Sequence, residues 1–293
     1  MNTMIMQPYA AFVGIDWADT KHDVCIQSAD SLRREFAVIP HKVEEIDEWA
    51  QSLHRRFPGP IAIALELSKG PIVYALQKYD YFVIFPINPS TLAKYREAFQ
   101  PSRAKDDPTD AELALDLILR HPERFEPLQP QSVEIRKLAE LVVQRRRLVS
   151  DRVRLTNRLR STLKLYYPQA LEWFNRIDTK LFCDFIERWP TLMQVKRART
   201  TTLTTFFRAG NTRNPELLET RLASIRSSQH LTLDEAVIAP NKLHALMLVG
   251  MLKVILDAIK TYDQTIAELA PKHDDYDLFR SLPGAGPSLA PRL

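Results

Sequence analysis

The stretch Tyr9-Ala-Ala-Phe-Val-Gly-Ile-Asp16 decides the fold, because it is a short apolar run that ends in an acid, as a buried β-strand does. Two runs that follow it, residues 22–28 and 32–39, alternate more regularly between polar and apolar side chains and predict two further strands. Apolar residues then recur at helical spacing between residues 41 and 57. The chain is therefore expected to open with three paired strands and an amphipathic helix.

Two more apolar runs, Ile61-Ala-Ile-Ala-Leu-Glu66 and Tyr81-Phe-Val-Ile-Phe85, predict further strands on either side of a short helix at 71–79. A helix to about residue 99 and an aspartate-rich helix start come next. The predicted order is β-β-β-α-β-α-β-α-α, in which the first strands form a meander and the later ones add in parallel. This is the order of an α/β RNase H-like (RuvC-like) fold, in which the ends of the first and fourth strands lie side by side.

The aspartate-rich stretch is Ser102-Arg-Ala-Lys-Asp-Asp-Pro-Thr-Asp-Ala111. Pro108 suits the first turn of a helix, which puts Asp107 at the N-cap and Asp110 three residues on, on the same face. Taken alone, this pattern is typical of helix capping. Asp16 and Glu66, each at the end of a predicted strand, favour a second interpretation in which four carboxylates converge.

Four carboxylates at one point repel one another unless a cation neutralises them. Oxygen ligands of this kind suit Mg²⁺, or Mn²⁺ in its place. Two such ions can stabilise the attacking and leaving oxygens of a phosphodiester displacement. The sequence therefore predicts a metal-dependent phosphoryl-transfer site at Asp16, Glu66, Asp107 and Asp110.

Three segments resemble the motifs of the insertion-sequence-110 (IS-110) family of DEDD transposases: Gly14-Ile-Asp-Trp-Ala-Asp-Thr-Lys-His-Asp-Val24, Ala64-Leu-Glu66 and Lys105-Asp-Asp-Pro-Thr-Asp-Ala111. Matched residue by residue, the catalytic and metal-binding tetrad of the family falls on the same four acids. Asp106 stands where the family usually has Ser or Thr and is an extra acid. Asp19 and Asp23 are interpreted as turn and strand-surface residues.

The resemblance implies a RuvC-like nuclease domain that depends on Mg²⁺ and recombines mobile-element DNA with its target. It also implies guidance by a structured non-coding RNA of the element, the bridge RNA.

Composition and charge support a polyanionic partner. The chain has 293 residues, enough for two domains, and a formal net charge of only +4. Between residues 134 and 172, however, there are ten Lys or Arg and only four acids. The two cysteines form no metal-spaced pair, and Cys25 is expected in the core. With no signal peptide pattern and no apolar run long enough to span a membrane, we expect a cytoplasmic chain without a membrane partner.

A long helix is predicted from Val133, with Ser132 as its N-cap, to Pro168. An apolar stripe runs along this helix, and basic side chains surround the stripe. One interpretation is a solvated basic face. The other is that arginines grip phosphates while the stripe pairs with another helix. With Lys105, the candidate nucleic-acid-binding residues are Arg145, Arg146, Arg147, Arg152, Arg154, Arg158 and Arg160.

Two shorter predictions complete the helical part of the chain. A short helix is expected at 173–190, and a second long helix at 242–269. The second long helix is expected to pair antiparallel with the first as a coiled coil, within the chain or across a dimer. Because coiled coils often join protomers, we expect a homo-oligomer.

The last residues suggest that the chain is one part of a longer architecture. The segment Phe279-Arg-Ser-Leu-Pro-Gly-Ala-Gly-Pro-Ser-Leu-Ala290 resembles the P-G-x-G-P motif that opens the C-terminal transposase domain of the family. The family's catalytic serine would lie further downstream, and Ser288 does not match it. We therefore expect a nuclease domain at 1–127, a helical coiled-coil and basic region at 128–275, and the start of a truncated transposase domain at 276–293.

Three functions remain open at this point. The first is a DNA transposase or recombinase that lacks its serine-bearing half. The second is a stand-alone nuclease of the Holliday-junction type, which needs only the carboxylates and a basic surface. The third is an inactive remnant that binds nucleic acid.

Overall fold

A computed structural model of the chain describes residues 9–99, 107–129, 131–210, 214–286 and 289–292. The chain divides into two compact units, residues 1–130 and 131–293. The first unit combines a five-stranded sheet with helices, and the second is helical. An α/β unit followed by a helical region, as the sequence predicts, is confirmed.

The first unit has five strands and four helices in the predicted order. The strands are β1 (Ala11–Trp17), β2 (Lys21–Ser28), β3 (Arg34–Pro40), β4 (Ile61–Leu65) and β5 (Phe82–Pro86). The helices are α1 (Val43–Arg56), α2 (Pro71–Leu76), α3 (Pro89–Phe99) and α4 (Asp107–Arg120).

The sheet has the strand order β3-β2-β1-β4-β5. β1 pairs antiparallel with β2, and β2 pairs antiparallel with β3, while β4 is parallel to both β1 and β5. The expected adjacency of the first and fourth strands is therefore confirmed.

The two faces of the sheet pack against different helices, because successive strand residues point to opposite sides. On one face, Ile15 and Ile63 cluster with Ile46 of α1 and Ile72 of α2. On the other face, the small residues Ala62 and Ala64 cluster with α4. These alanines let a helix lie close to the middle of the sheet.

The second unit is built around two long helices. Its helices are α5 (Val133–Tyr166), α6 (Gln169–Glu172), α7 (Lys180–Arg188), α8 (Leu192–Arg197), α9 (Thr200–Ala209), α10 (Pro215–Ser227), α11 (Glu235–Leu269) and α12 (Tyr276–Arg280).

α5 and α11 pack antiparallel within the chain. Leu138 near the start of α5 clusters with Ile266 near the end of α11. At the other end, Tyr166 of α5 lines a common cavity with Ile238 of α11. Of the two pairings that the sequence leaves open, the structure contains the one within the chain.

An aromatic core joins the short helices to this pair. Phe182, Phe185 and Phe207 are fully buried and lie in ring contact with Phe174. The predicted N-cap of α5 is confirmed, since the Ser132 hydroxyl accepts a hydrogen bond of 3.2 Å from the backbone N–H of Ile135.

Two predicted helix starts are wrong. The helix expected from Trp173 begins at Lys180, because the Thr179 hydroxyl caps it there by accepting from the Phe182 N–H. The helix expected from Lys242 begins at Glu235, where Asp234 is the N-cap, and it passes through Pro240 in its second turn. Within the part of the chain that the structure describes, no helix is both long enough and apolar enough to cross a membrane.

Candidate functional site

Asp16 and Glu66 lie at the same end of two neighbouring strands. Ile15 of β1 is paired with Leu65 of β4 in the parallel register, and the next residue along each chain is one of these acids. Neighbouring strands are about 4.8 Å apart. The fold therefore brings together two of the predicted site residues that are separated by 50 positions in sequence.

Both acids lie on the side of the sheet that α4 covers. Side chains two residues apart on a strand share a face, so Asp16 lies on the face of Gly14, and Glu66, which continues β4, follows the face of Ala64. Ala64 clusters with Ala114 of α4. The carboxylates therefore lie on the face where the aspartate-rich helix starts.

Gly14 lets α4 cross β1 in direct contact. A Cβ atom on Gly14 would lie 1.9 Å from the carbonyl oxygen of Ala111 and 2.7 Å from the backbone nitrogen of Leu115. No side chain fits between the strand and the helix. Ala111 is the fifth residue of α4, so the start of this helix is held against β1 two residues from Asp16.

Asp110 is buried and bound by an arginine. The Nε atom of Arg96, on α3, donates a hydrogen bond of 2.7 Å to Asp110 Oδ1, and the Asp110 residue is only 3% exposed. A buried carboxylate needs such a partner, because an unpaired buried charge is strongly destabilising. The sequence did not indicate this partner, and in the structure Arg96 supplies the positive charge next to Asp110.

The remaining members of the predicted cluster are only partly described. Asp107 begins α4, but its side chain lies outside the described residues, as do Lys105 and Asp106. Among the side chains that the structure describes, no three of the His, Cys, Asp and Glu type form a metal-ion cluster. The described acids bring carboxylate oxygens, the donors that Mg²⁺ prefers, to one face.

Asp23 is a further acid of this face. Its predicted place at the strand surface is wrong, because it is buried and pairs with Asp16 in the β1–β2 register. Lys21 Nζ lies 3.0 Å from its Oδ2 atom. The i, i+2 spacing of Lys21 and Asp23 on one strand was the signal in the sequence for this ion pair.

Cys25 also lies on this face, between β2 and α4, as the expected core residue. It is fully buried and clusters with Ala111 and Leu115. Burial is the largest cause that raises the pKa of its thiol to about 12. Cys25 therefore packs as a small apolar residue and is not a thiolate nucleophile at neutral pH.

The arginines of α5 divide into paired and open groups. Arg145 forms an ion pair with Asp263 of α11, Arg152 lies 3.6 Å from Asp178, and Arg154 is paired with Asp151. Within the described part of the chain, no acidic group lies within ion-pair distance of the other four, which are all exposed: Arg146, Arg147, Arg158 and Arg160.

The open arginines form a basic surface about 20 Å long on α5, since a helix rises 1.5 Å per residue. Arg145 and Arg146 also line a groove of about 640 Å³ between α5 and α11, together with Lys260. A surface of this length with several open cations has the electrostatics that phosphate groups require.

Comparisons with known proteins show what the chain is similar to. A family model described as transposase, for the DEDD type of IS-110, matches residues 13–168. A protein of Sinorhizobium fredii named as transposase y4uE is 30% identical over 199 residues, which cover 66% of this chain and 54% of that protein. The protein named as the mini-circle transposase for IS117 of Streptomyces coelicolor is 28% identical over 290 residues, or 96% of this chain and 70% of that protein. The chain thus spans about half the length of the first relative.

Proposed function

The chain belongs to the IS-110 family of DEDD transposases, and we propose on this premise that its α/β unit is an RNase H-like nuclease domain that cuts and joins mobile-element DNA. The observation that carries the proposal is the placement of Asp16 and Glu66 at the same end of two adjacent parallel strands, on the face where α4 starts. A carboxylate cluster at this place is the arrangement that phosphoryl transfer requires.

We propose that Asp16, Glu66, Asp107 and Asp110 hold Mg²⁺ or Mn²⁺. The bound ions would supply charge stabilisation for the attacking and leaving oxygens of a phosphodiester. The chain itself contributes a rigid support: β1 and β4 fix two carboxylates, and the close contact at Gly14 fixes the start of α4. Arg96 keeps Asp110 compensated until a cation takes its place.

The basic surface of α5 gives the second part of the proposal. We propose that Arg146, Arg147, Arg158 and Arg160 contact the phosphates of DNA or of a structured guide RNA, since these guanidinium groups are exposed. Arg145, Arg152 and Arg154 act through their ion pairs with acids and support the helix. A homo-oligomer, and a serine-bearing partner domain for complete strand exchange, remain parts of the proposal.

The test is Mg²⁺-dependent processing of DNA by full-length protein with Asp16→Asn or Glu66→Gln. Either substitution should reduce the reaction by at least a hundredfold while leaving the fold and DNA binding intact. The matched control is Asp23→Asn, since Asp23 is the cross-strand neighbour of Asp16 but is compensated by Lys21. Equal activity of the Asp16→Asn variant and the wild type would overturn the carboxylate site.

The same assay separates the two other functions. Cleavage of branched DNA by these 293 residues, with metal and without RNA, would favour the stand-alone nuclease. Salt-dependent binding that is never accompanied by cleavage would favour the inactive remnant.

A further inference from the structure

The face of the sheet that carries the carboxylates continues onto β3, where its side chains are uncovered. In the β2–β3 register, Val38 is the partner of Asp23 and Phe36 is the partner of Cys25. Directly paired residues point to the same side of a sheet. Val38 therefore continues the row of Asp16 and Asp23, and Phe36 continues the row of Gly14 and Cys25.

These two apolar side chains are exposed, unlike the apolar residues of the same face that lie under α4. Phe36 is 53% exposed and Val38 is 56% exposed. Within the described residues, neither belongs to a hydrophobic cluster, and no ring contact involves Phe36. Phe36 and Val38 together form what we call the β3 platform.

The reason for the exposure is the path of α4. This helix lies over β1 and β2, and Arg34 of β3 contacts it, since its Nη1 donates a hydrogen bond of 2.6 Å to Glu112. A second ion pair joins Arg34 to Asp116. Arg34 thus links β3 to α4 one row away from Phe36. Phe36 and Val38, beyond this link, remain exposed.

The charged groups next to the platform are paired with acids. Lys21 lies on the same face, one row beyond Val38, and its side chain is 47% exposed. Arg34 lies on the same face one row beyond Phe36. Lys21 forms an ion pair with Asp23. Arg34 forms ion pairs with Glu112 and Asp116, so the apolar pair is bordered by ion pairs. A single strand would therefore contact the platform through a base that stacks on the ring of Phe36.

The size of the platform also argues for a base rather than a protein surface. A stable protein interface buries about 800 Å² on each partner, whereas the platform consists of two side chains. One exposed ring next to one β-branched side chain has the size of a single nucleobase. Two strand spacings separate β3 from β1, so the platform lies on the order of 10 Å from Asp16.

We propose that the β3 platform stacks an unpaired nucleobase close to the phosphodiester that the carboxylates act on, with Phe36 as the positioning residue. This inference rests on the proposed function and adds the position of the substrate strand. A stacked base is bound with little dependence on its identity, because every base has a π-face. The platform would therefore hold the strand in register without selecting its sequence.

The experiment measures binding of a branched DNA with single-stranded ends to the full chain in EDTA, by fluorescence anisotropy. Phe36→Ala should weaken binding about tenfold, Phe36→Leu less, and Phe36→Trp not at all. Leu32→Ala is the control, since Leu32 is 93% exposed in the turn before β3. We would also test a series of DNAs that each lack one base. When the missing base is the one that stacks on Phe36, the wild type and Phe36→Ala should bind that DNA equally.

Three results would overturn the inference. If Phe36→Ala binds DNA as the wild type does, stacking on Phe36 is excluded. Cleavage by the same variant would show that the carboxylate site itself is intact. A change of oligomeric state in Phe36→Ala, seen by light scattering, would mean that the platform is a protein contact. Failure of the wild type to bind any DNA would remove the proposed function together with this inference.

Discussion

Gly14 lies directly beneath Ala111: the carbonyl oxygen of Ala111 occupies the space where a side chain of Gly14 would begin, with only 1.9 Å to an ideal Cβ position. This contact fixes the start of α4 on β1, two residues from Asp16. It joins the stability of the α/β unit to the geometry of the carboxylate site.

Gly14→Ala should therefore destabilise the α/β unit by about 3 kcal/mol, because α4 can make room for the methyl group only by moving away from the sheet and losing its packing there. Hydrogen exchange of residues 107–120 should rise together with that of β1. We would measure it alongside the free energy of unfolding in urea.

Gly250→Ala is the control for this prediction. Gly250 lies in the middle of α11, and nothing lies within 4 Å of the position that a Cβ would take. Alanine there should raise stability by about 0.5–1 kcal/mol, since glycine is the weaker helix former. If both glycine variants behave alike, the contact at Ala111 does not have the role we assign to it.

Arg96 and a divalent cation should compete for Asp110. Arg96→Gln removes the ion pair of a buried carboxylate, so the metal-free protein should lose about 3 kcal/mol of stability. The same variant should bind Mn²⁺ more tightly than the wild type, by threefold or more, in isothermal titration calorimetry. The two effects have opposite signs, which a general loss of structure would not produce.

Arg56→Gln tests whether this behaviour is specific. Arg56 also forms an ion pair with a carboxylate, Glu35, but both side chains are exposed. Surface pairs of this kind contribute little to stability. This variant should change neither the stability by more than about 0.5 kcal/mol nor the affinity for Mn²⁺, and a change in Mn²⁺ affinity would count against direct competition at Asp110.

The sequence predicted the order of the first nine elements because the spacing of its apolar residues clearly distinguishes strands from helices. Proline residues mark several of the boundaries between these elements. It also predicted that Asp16 and Glu66 would meet, since this follows from strand order. It could not predict the Arg96–Asp110 pair, which depends on how α3 packs against α4. The exposure of β3 also depends on how α4 packs. The alternation of polar and apolar residues at 32–39 is the same whether or not a helix covers the strand, so it does not predict this exposure.

The helical unit shows the same limit. The seven candidate arginines of α5 look equivalent in sequence, but Arg145 has its partner Asp263 at a separation of 118 residues. Only the antiparallel packing of α5 on α11 brings the two together. Which arginines remain open for phosphates is therefore a property of the tertiary structure.

Open and paired arginines should differ in how they affect DNA binding. Replacing Arg146, Arg147 and Arg158 by alanine should reduce the slope of log K against log salt by about one for each arginine, since each releases a counterion on binding phosphate. Anisotropy titrations between 50 and 300 mM salt, roughly the range in which such slopes are read, would measure this.

Arg145→Ala is the comparison for the open arginines. It removes the ion pair with Asp263 and should lower the stability of the helix pair, with a smaller effect on the salt slope. A slope that falls as much in Arg145→Ala as in any single open-arginine variant would contradict the division into paired and open groups.

His22 should make the α/β unit sensitive to acid. It is fully buried on β2, and its Nε2 atom lies 2.9 Å from Nδ1 of His41, so the two rings share a hydrogen bond. Burial, and next the nearby His41, lower the pKa of His22 to about 4, while Asp23 opposes the shift. In the unfolded chain the pKa is about 6.5.

Between pH 6.5 and 4 the unfolded chain therefore binds a proton that the folded unit does not. The contribution of neutral His22 to the free energy of unfolding is complete above about pH 6.5 and is lost as the pH falls towards 4, by at most about 3 kcal/mol. Hydrogen exchange of residues 21–28 in EDTA, corrected for the intrinsic pH dependence, should show this loss in the wild type. His22→Gln should be less stable at neutral pH and should lack most of the slope, and an equal slope in both proteins would assign the acid sensitivity to other groups.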